Sequence, residues 1–203
     1  MQAFTALTAT ACPLPLPGID TDQLIPARFM KRTRSEGYGD ALLHDLRFDA
    51  KGTPRADFPL NDPRRAGAAI LVTRRNFGAG SSREAAVYAL WDYGVRCVLA
   101  PSFGDIFAAN AVNNGLLPAQ VAEADAERLL RLLQDGLGVL TVELRECLVQ
   151  AGAEAIPFQV DPVFRTKLLN GWDDLDLTAS YGAEIASFAA RDAVARPWVP
   201  PRS

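Results

Sequence analysis

The sequence predicts a parallel α/β domain, and three observations carry that prediction. Short apolar runs, Ala68-Ala69-Ile70-Leu71-Val72-Thr73 and Val95-Arg96-Cys97-Val98-Leu99-Ala100, have the length of buried strands. Each leads through a glycine-containing loop, Asn76 to Arg83 and Pro101 to Asp105, into a helix-like run, Ala85 to Trp91 and Ile106 to Val112. Strand, loop and helix repeated in this order build parallel sheets, whose ligands bind at the C-terminal ends of the strands. The 203 residues, 49% hydrophobic and 22% charged, suffice for one substantial core.

Phe4 to Ala11 reads as a first strand, ending at Cys12 because Pro13, Pro15 and Pro17 forbid helix and favour an extended or turning segment. Asp20-Thr21-Asp22 follows, with turn formation the plain reading of its two acids. Ala27 to Arg34 is a cationic helix or loop, and Gly37-Tyr38-Gly39 has the make-up of a segment that closes over a ligand. Asp49 to Gly67, rich in Pro, Asp, Arg and Gly, is a long loop of the functional or mobile kind.

Gly94 closes the helix after the central loop, and Ser102 and Asp105 stand at capping spacing before the next one. Leu116-Leu117-Pro118 is extended. Leucines at 129, 130, 132 and 133 on a charged background make Ala124 to Gln134 an amphipathic surface helix. Val139 to Leu144 alternates as a strand, and Ile156 to Val160 is an edge strand because of Pro157. Asp161 caps a helix that starts at Pro162 and stops at Asn170-Gly171. Asp173 to Asp176 serves as turn and cap, and a last helix runs from Thr178 to Ala190.

The stretch Asn76-Phe77-Gly78-Ala79-Gly80-Ser81-Ser82-Arg83-Glu84 carries the chemistry. Gly78 and Gly80 admit positive φ or close approach of a ligand to backbone. Ser81 and Glu84 have capping-box spacing, which starts the helix at Ser82. Free N–H groups and the positive helix end then converge on one spot suited to an anion. Arg83 in the first turn opposes the helix dipole by about 0.3–1 kcal/mol, a cost that an anionic partner rationalises. An ordinary capped helix with a solvent-facing Arg83 accounts for the spacing equally well. The loop lacks the Gly-Lys-Ser/Thr ending of a Walker loop and the third glycine of a dinucleotide fingerprint.

Composition excludes several classes of function. A net charge of −3, with no basic patch longer than Lys31-Arg32-Thr33-Arg34, argues against nucleic acid. No apolar stretch approaches the roughly 20 residues that span a bilayer, and the first twelve residues lack the basic start of a signal peptide, so a cytoplasmic protein is expected. Cys12, Cys97 and Cys147 stand far apart, encoding neither a disulfide frame nor a metal or iron–sulfur site. His44, the single histidine, sits in an apolar run and reads as structural.

Several blocks in order resemble one family. Asp20-Thr21-Asp22-Gln23-Leu24-Ile25-Pro26, Phe29-Met30-Lys31-Arg32, the glycine loop, Ala100-Pro101-Ser102-Phe103-Gly104-Asp105, Asn113-Asn114-Gly115-Leu116-Leu117-Pro118 and Leu168-Leu169-Asn170-Gly171-Trp172-Asp173-Asp174 are similar to the small subunits of isopropylmalate isomerases, in the aconitase superfamily. The resemblance implies a swivelling β/β/α three-layer domain spanning 1–203: strand, substrate loop and long connection over 1–67, a βα core over 68–190, and a tail over 191–203. It implies a hydro-lyase of leucine biosynthesis that dehydrates 2-isopropylmalate and rehydrates it to the 3-isomer. The active form is a heterodimer or heterotetramer with a large subunit that carries a four-iron four-sulfur cluster; this chain binds no cofactor or metal itself.

The same resemblance implies the site. Ser81 matches the base that takes a proton from the carbon next to a carboxylate, and Arg83 the arginine that grips a substrate carboxylate. Asp22 matches an acidic position near the reacting centre. Lys31 and Arg32 fall in a cationic substrate-contact loop, and Gly80 and Ser82 in the backbone cradle. Ala79 and Ala85 replace a cysteine and a histidine usual in the family. Those changes leave open a paralogue acting on methylmalate, homoaconitate or dimethylmalate, and a non-catalytic scaffold is the reading from another class.

Overall fold

The computed structural model describes residues 1–199. Seven strands form one sheet in the order β4-β3-β2-β1-β5-β6-β7. Strands β1 (Ala6–Leu14), β2 (Ile70–Thr73), β3 (Cys97–Ala100) and β4 (Leu117–Gln120) are parallel. Strands β5 (Val139–Glu143), β6 (Leu148–Ala151) and β7 (Glu154–Pro157) continue the sheet antiparallel from the other side of β1. The architecture is thus mixed, with the expected parallel half and an antiparallel half beside it.

Side chains along the parallel strands alternate between two cores, as the period of two demands. Cys12, Leu71 and Val98 join one core, together with Ala86, Val87 and Leu90 of α3 (Glu84–Tyr93) and Phe107 and Ala111 of α4 (Asp105–Asn113). Ala11, Ile70, Val72, Cys97 and Leu99 point to the other. There they meet Ala126, Leu129, Leu130 and Leu133 of α5 (Glu123–Gln134) and the inner residues of the antiparallel half, Leu140, Val142, Val149 and Ile156. The sheet is therefore buried on both faces where it is parallel.

Several local expectations change. The first strand runs to Leu14, not Cys12. Pro13 lies past the stretch paired with β5, which ends at Thr10, and opposite Val72 on the β2 side. Strand β6, whose four residues alternate exposed and buried, was absent from the expected elements, and β7 ends at Pro157 on the sheet edge. Asp20 is more than a turn residue: it caps the one-turn helix α1 (Thr21–Leu24), accepting from Gln23 N–H while the Gln23 side chain accepts from Asp20 N–H, and a second one-turn helix, α2 (His44–Arg47), follows.

The long connection is tied down. It contains 3-10 turns at Pro59–Asn61 and Pro63–Arg65 and buries Phe58 and Leu60. The buried Arg65 guanidinium donates to the carbonyls of Ala11, Leu133 and Leu137, fastening the loop to β1 and to the end of α5.

Helix α6 (Pro162–Asn170) has the expected Asp161 cap and Gly171 stop. The expected single last helix is two, α7 (Asp174–Ser180) and α8 (Gly182–Ala195), so the first five residues of the expected tail are helical; residues 200–203 of that tail lie outside the described residues. Neither α7 nor α8 contains a buried residue. Among the described residues no helix is long and apolar enough to cross a membrane.

Candidate active site

Three loops lie side by side at the C-terminal ends of β1, β2 and β3. Gly78 N–H donates to Ile19 O at 2.7 Å and Thr21 N–H to Ala79 O at 2.9 Å, joining the first loop to the glycine loop. On the other side Phe77 N–H donates to Ser102 O at 3.0 Å and Gly104 N–H to Phe77 O at 2.9 Å. Beneath them Phe77 is fully buried and meets Phe103 and Phe107 edge-on, with centroids 6.3 and 5.4 Å away. Glycine is required twice here: a Cβ on Gly78 (φ 72°) falls 2.2 Å from the Phe107 ring, and one on Gly104 falls 2.7 Å from Gly78 O.

The expected capping boxes do not form. Helix α3 begins at Glu84 with Arg83 as its cap residue and no side-chain cap. The cause is a tight turn in which Arg83 N–H donates to Ser81 O at 2.8 Å, moving the helix start past Ser82. Glu84 instead accepts from Asn114 Nδ2. Helix α4 likewise starts uncapped after Gly104, because Ser102 Oγ accepts from Asn76 N–H at 2.8 Å. The Ser81 hydroxyl is thereby released from helix capping. Its one side-chain partner among the described residues is Thr21 Oγ1, at 3.3 Å. The N–H groups of Gly80, Ser81, Ser82 and Glu84 donate to no backbone acceptor among the described residues, which leaves the anion-binding set of a helix start unsatisfied.

Arg83, one-quarter exposed, pairs with the more exposed Asp22 carboxylate, so two of the expected site residues meet directly. Ser81, Gly80, Arg83, Asp22 and Thr21 form one constellation. It borders a cleft of about 170 Å³ lined by Gly78, Gly80, Ser81, Gly104, Asp105, Ile106 and Phe107. A larger cleft, about 370 Å³, lies beside Arg65, but that guanidinium is spent on backbone carbonyls. Chemistry, not size, singles out the smaller one. Ser82 is exposed and its hydroxyl makes no hydrogen bond among the described residues.

Lys31 and Arg32 stand at the end of a 3-10 turn over Ala27–Lys31 and, among the described residues, make no hydrogen bond to the glycine loop. Arg32 is engaged already, donating to both Asp40 oxygens at 2.8 and 2.9 Å beside the Phe29 ring. Lys31 is exposed and has no ion-pair partner among the described residues. The segment is anchored to α3: Arg34 donates to Asp92 and lies 4.4 Å over the Tyr88 ring.

Thr21 is the member that sequence reasoning passed over. It lies between two acids that draw the eye, and a β-branched side chain at a helix start carries no signal of its own. His44 packs between Phe29 and Phe48, with centroids 4.7 and 4.8 Å away, as a structural residue does. Burial pushes the Cys12 thiol up to about 12 and raises that of Cys97 as well. These two cysteines face opposite cores, and among the described residues no group of three or more His, Cys, Asp or Glu side chains is placed to hold a metal ion.

The aconitase C-terminal domain model matches residues 1–124. The 3-isopropylmalate dehydratase small subunit of Rhodospirillum centenum is 44% identical over 200 residues, covering 98% of each chain. That of Gluconobacter oxydans is 46% identical over 202 residues, covering 98% of this chain and 96% of its own. A solved 3-isopropylmalate dehydratase structure from Methanocaldococcus jannaschii shares the fold with a TM-score of 0.62 at 21% identity, covering 90% of this chain and 98% of that one. With this identity sustained along nearly the whole length, the chain belongs to the 3-isopropylmalate dehydratase small-subunit family of the aconitase superfamily.

Proposed function

We propose that this chain, acting as one swivelling domain in the cytoplasm, is the small subunit of a hydro-lyase that isomerises 2-isopropylmalate to 3-isopropylmalate in leucine biosynthesis. The observation that carries the reading is the Ser81 hydroxyl, released from capping and set beside unsatisfied N–H groups and Arg83. Ser81, as the alkoxide, takes the proton from the carbon next to a substrate carboxylate. The C–H electron pair forms the double bond as the hydroxyl leaves, and rehydration reverses the step at the neighbouring carbon. A serine hydroxyl is ordinarily too weak a base; the helix start, the free N–H groups and the guanidinium all favour its anion.

Arg83 grips that carboxylate through its planar fork and offsets the charge that grows on it as the proton leaves. In this chain Asp22 takes one arm of the fork, Nη1, so substrate displaces or shares that contact, and Asp22 keeps the guanidinium aimed in the meantime. Lys31 receives the second carboxylate; Arg32, tied to Asp40, shapes the segment that carries it. Gly80 and Ser82 supply backbone N–H groups.

The cysteines of this chain do not fit an iron–sulfur cluster, being buried on opposite faces or far along the chain. The family resemblance puts a four-iron four-sulfur cluster in the large subunit, where it would supply Lewis acidity toward the leaving hydroxyl. The test is an anaerobic assay of this chain with a cluster-loaded large subunit, following unsaturated-acid absorbance. Ser81→Ala lowers kcat by roughly 10²–10⁴-fold without loss of assembly. Full turnover by Ser81→Ala rules out the role of Ser81, and turnover of methylmalate, homoaconitate or dimethylmalate in place of isopropylmalate moves the substrate.

A further inference from the structure

We infer that Thr21 is a positioning residue for the Ser81 oxygen, donating the hydrogen bond that aims it and favours its deprotonated form. This rests on the reading of Ser81 as the base. Thr21 is 1% exposed, and Thr21 Oγ1 lies 3.3 Å from Ser81 Oγ. Among the described residues that hydroxyl has no other hydrogen-bond partner.

The backbone of Thr21 is fixed from both ends. Its N–H donates to Ala79 O at 2.9 Å and its carbonyl accepts from Ile25 N–H at 3.1 Å, while the capping box of Asp20 and Gln23 sets the helix start around it. A branched side chain on a pinned backbone has few rotamers, so its hydroxyl is held in place instead of searching for a partner. Space for it comes from Gly80, where a Cβ at φ 109° stands 3.2 Å from Thr21 Oγ1. A side chain at this position would press on the threonine hydroxyl as well as strain the loop.

Protonation states give the bond a direction. While Ser81 carries its proton, either hydroxyl is able to donate. Once Ser81 is an alkoxide it only accepts, and Thr21 becomes the donor of a charge-assisted hydrogen bond. The bond strengthens when the base is formed and weakens when the base takes the substrate proton. Thr21 itself neither gains nor loses a proton. Hydrogen bonds to charged groups are about twice as strong as neutral ones, so losing this donor raises the pH at which Ser81 ionises.

The test uses the cluster-loaded complex with the large subunit and compares Thr21→Val, Thr21→Ala and Thr21→Ser with the parent. Thr21→Val, nearly isosteric but without a donor, lowers kcat roughly 10–100-fold with KM little changed. It also moves the ascending limb of the kcat–pH profile up by about one pH unit, which corresponds to a tenfold loss of the ionised form. Thr21→Ser restores both. In the Ser81→Ala background Thr21→Val has no further effect on residual turnover, because the two act as one unit.

A merely structural role lowers the thermal midpoint but leaves the pH limb where it was, and that result overturns the inference, as does a Thr21→Val enzyme with parental kcat and limb. If Thr21→Val fails to fold, Thr21→Ala against Thr21→Ser decides by the same limb. An inactive Ser81→Ala beside a neutral Thr21→Val overturns the Thr21 role alone; an active Ser81→Ala overturns the role of Ser81 on which it rests.

Discussion

Gly78 shows how little room the site leaves. Its φ of 72° already disfavours any L side chain, and a Cβ there meets the Phe107 ring at 2.2 Å. Gly78→Ala therefore combines left-handed strain of about 1–2 kcal/mol with overpacking of about 1–3 kcal/mol. A fall in unfolding free energy of roughly 2–5 kcal/mol is expected in urea denaturation. Gly52, with φ 79° and nothing within 4 Å of an added Cβ, is the control and loses only the strain. Equal losses at the two positions would show that the aromatic floor yields. At this scale the sequence showed which residues would stand together more readily than which bonds they would make. Ser81, Arg83 and Asp22 were legible as residue types, yet the Ser81–Glu84 spacing suggested a cap that the turn at Arg83 prevents.

Among the elements, those with chemical punctuation were legible. Asp161-Pro162 and Gly171 bracket α6, Gly94 ends α3, and the leucine stripe defines α5. Strand β6 carries only four alternating residues before Gly152 turns the chain into β7, a pattern too short to stand out until β5 and β7 pair with it. The 49–67 connection was illegible for another reason: its order comes from long-range contacts, those of the buried Phe58 and Leu60 and of one buried arginine. Arg65 satisfies the Leu133 and Leu137 carbonyls at the end of α5, where a cation also suits the helix dipole, and the Ala11 carbonyl of β1. Arg65→Met keeps the stem's packing and strands those acceptors. A loss of about 3 kcal/mol is expected from the equilibrium unfolding curve. A loss below about 1 kcal/mol would mean that water replaces the guanidinium.

For the molecule as a whole, acid stability follows from its surface carboxylates. The Arg28 side chain holds Asp45 down from 3.8 to about 2, and Arg64 does the same for Asp62. A carboxyl with a depressed folded pKa adds stability above its unfolded pKa and loses it as pH falls through the folded value. Thermal midpoints should therefore hold above pH 4 and fall between about pH 4 and 2. Asp45 is exposed, and Asp62, though partly covered, pairs with an exposed Arg64 side chain, so the effect is small and shrinks in high salt. The double variant Asp45→Asn, Asp62→Asn should flatten this limb, and an unchanged limb would assign it to other groups. The sheet adds a constraint of a different kind. Strand β1 has β2 on one side and β5 on the other, and the Thr8 and Thr141 hydroxyls that meet across the second seam are 133 residues apart in the chain. Synthesis proceeds from the N-terminus, so the first strand made is among the last to be enclosed. The parallel half has all its strands by Gln120, while β1 keeps a bare hydrogen-bonding edge until β5 emerges from the ribosome. The strand that joins the two halves of the finished protein is thus the exposed edge of the nascent one, and a stalled or truncated translation product is where this chain is most prone to stick to its neighbours.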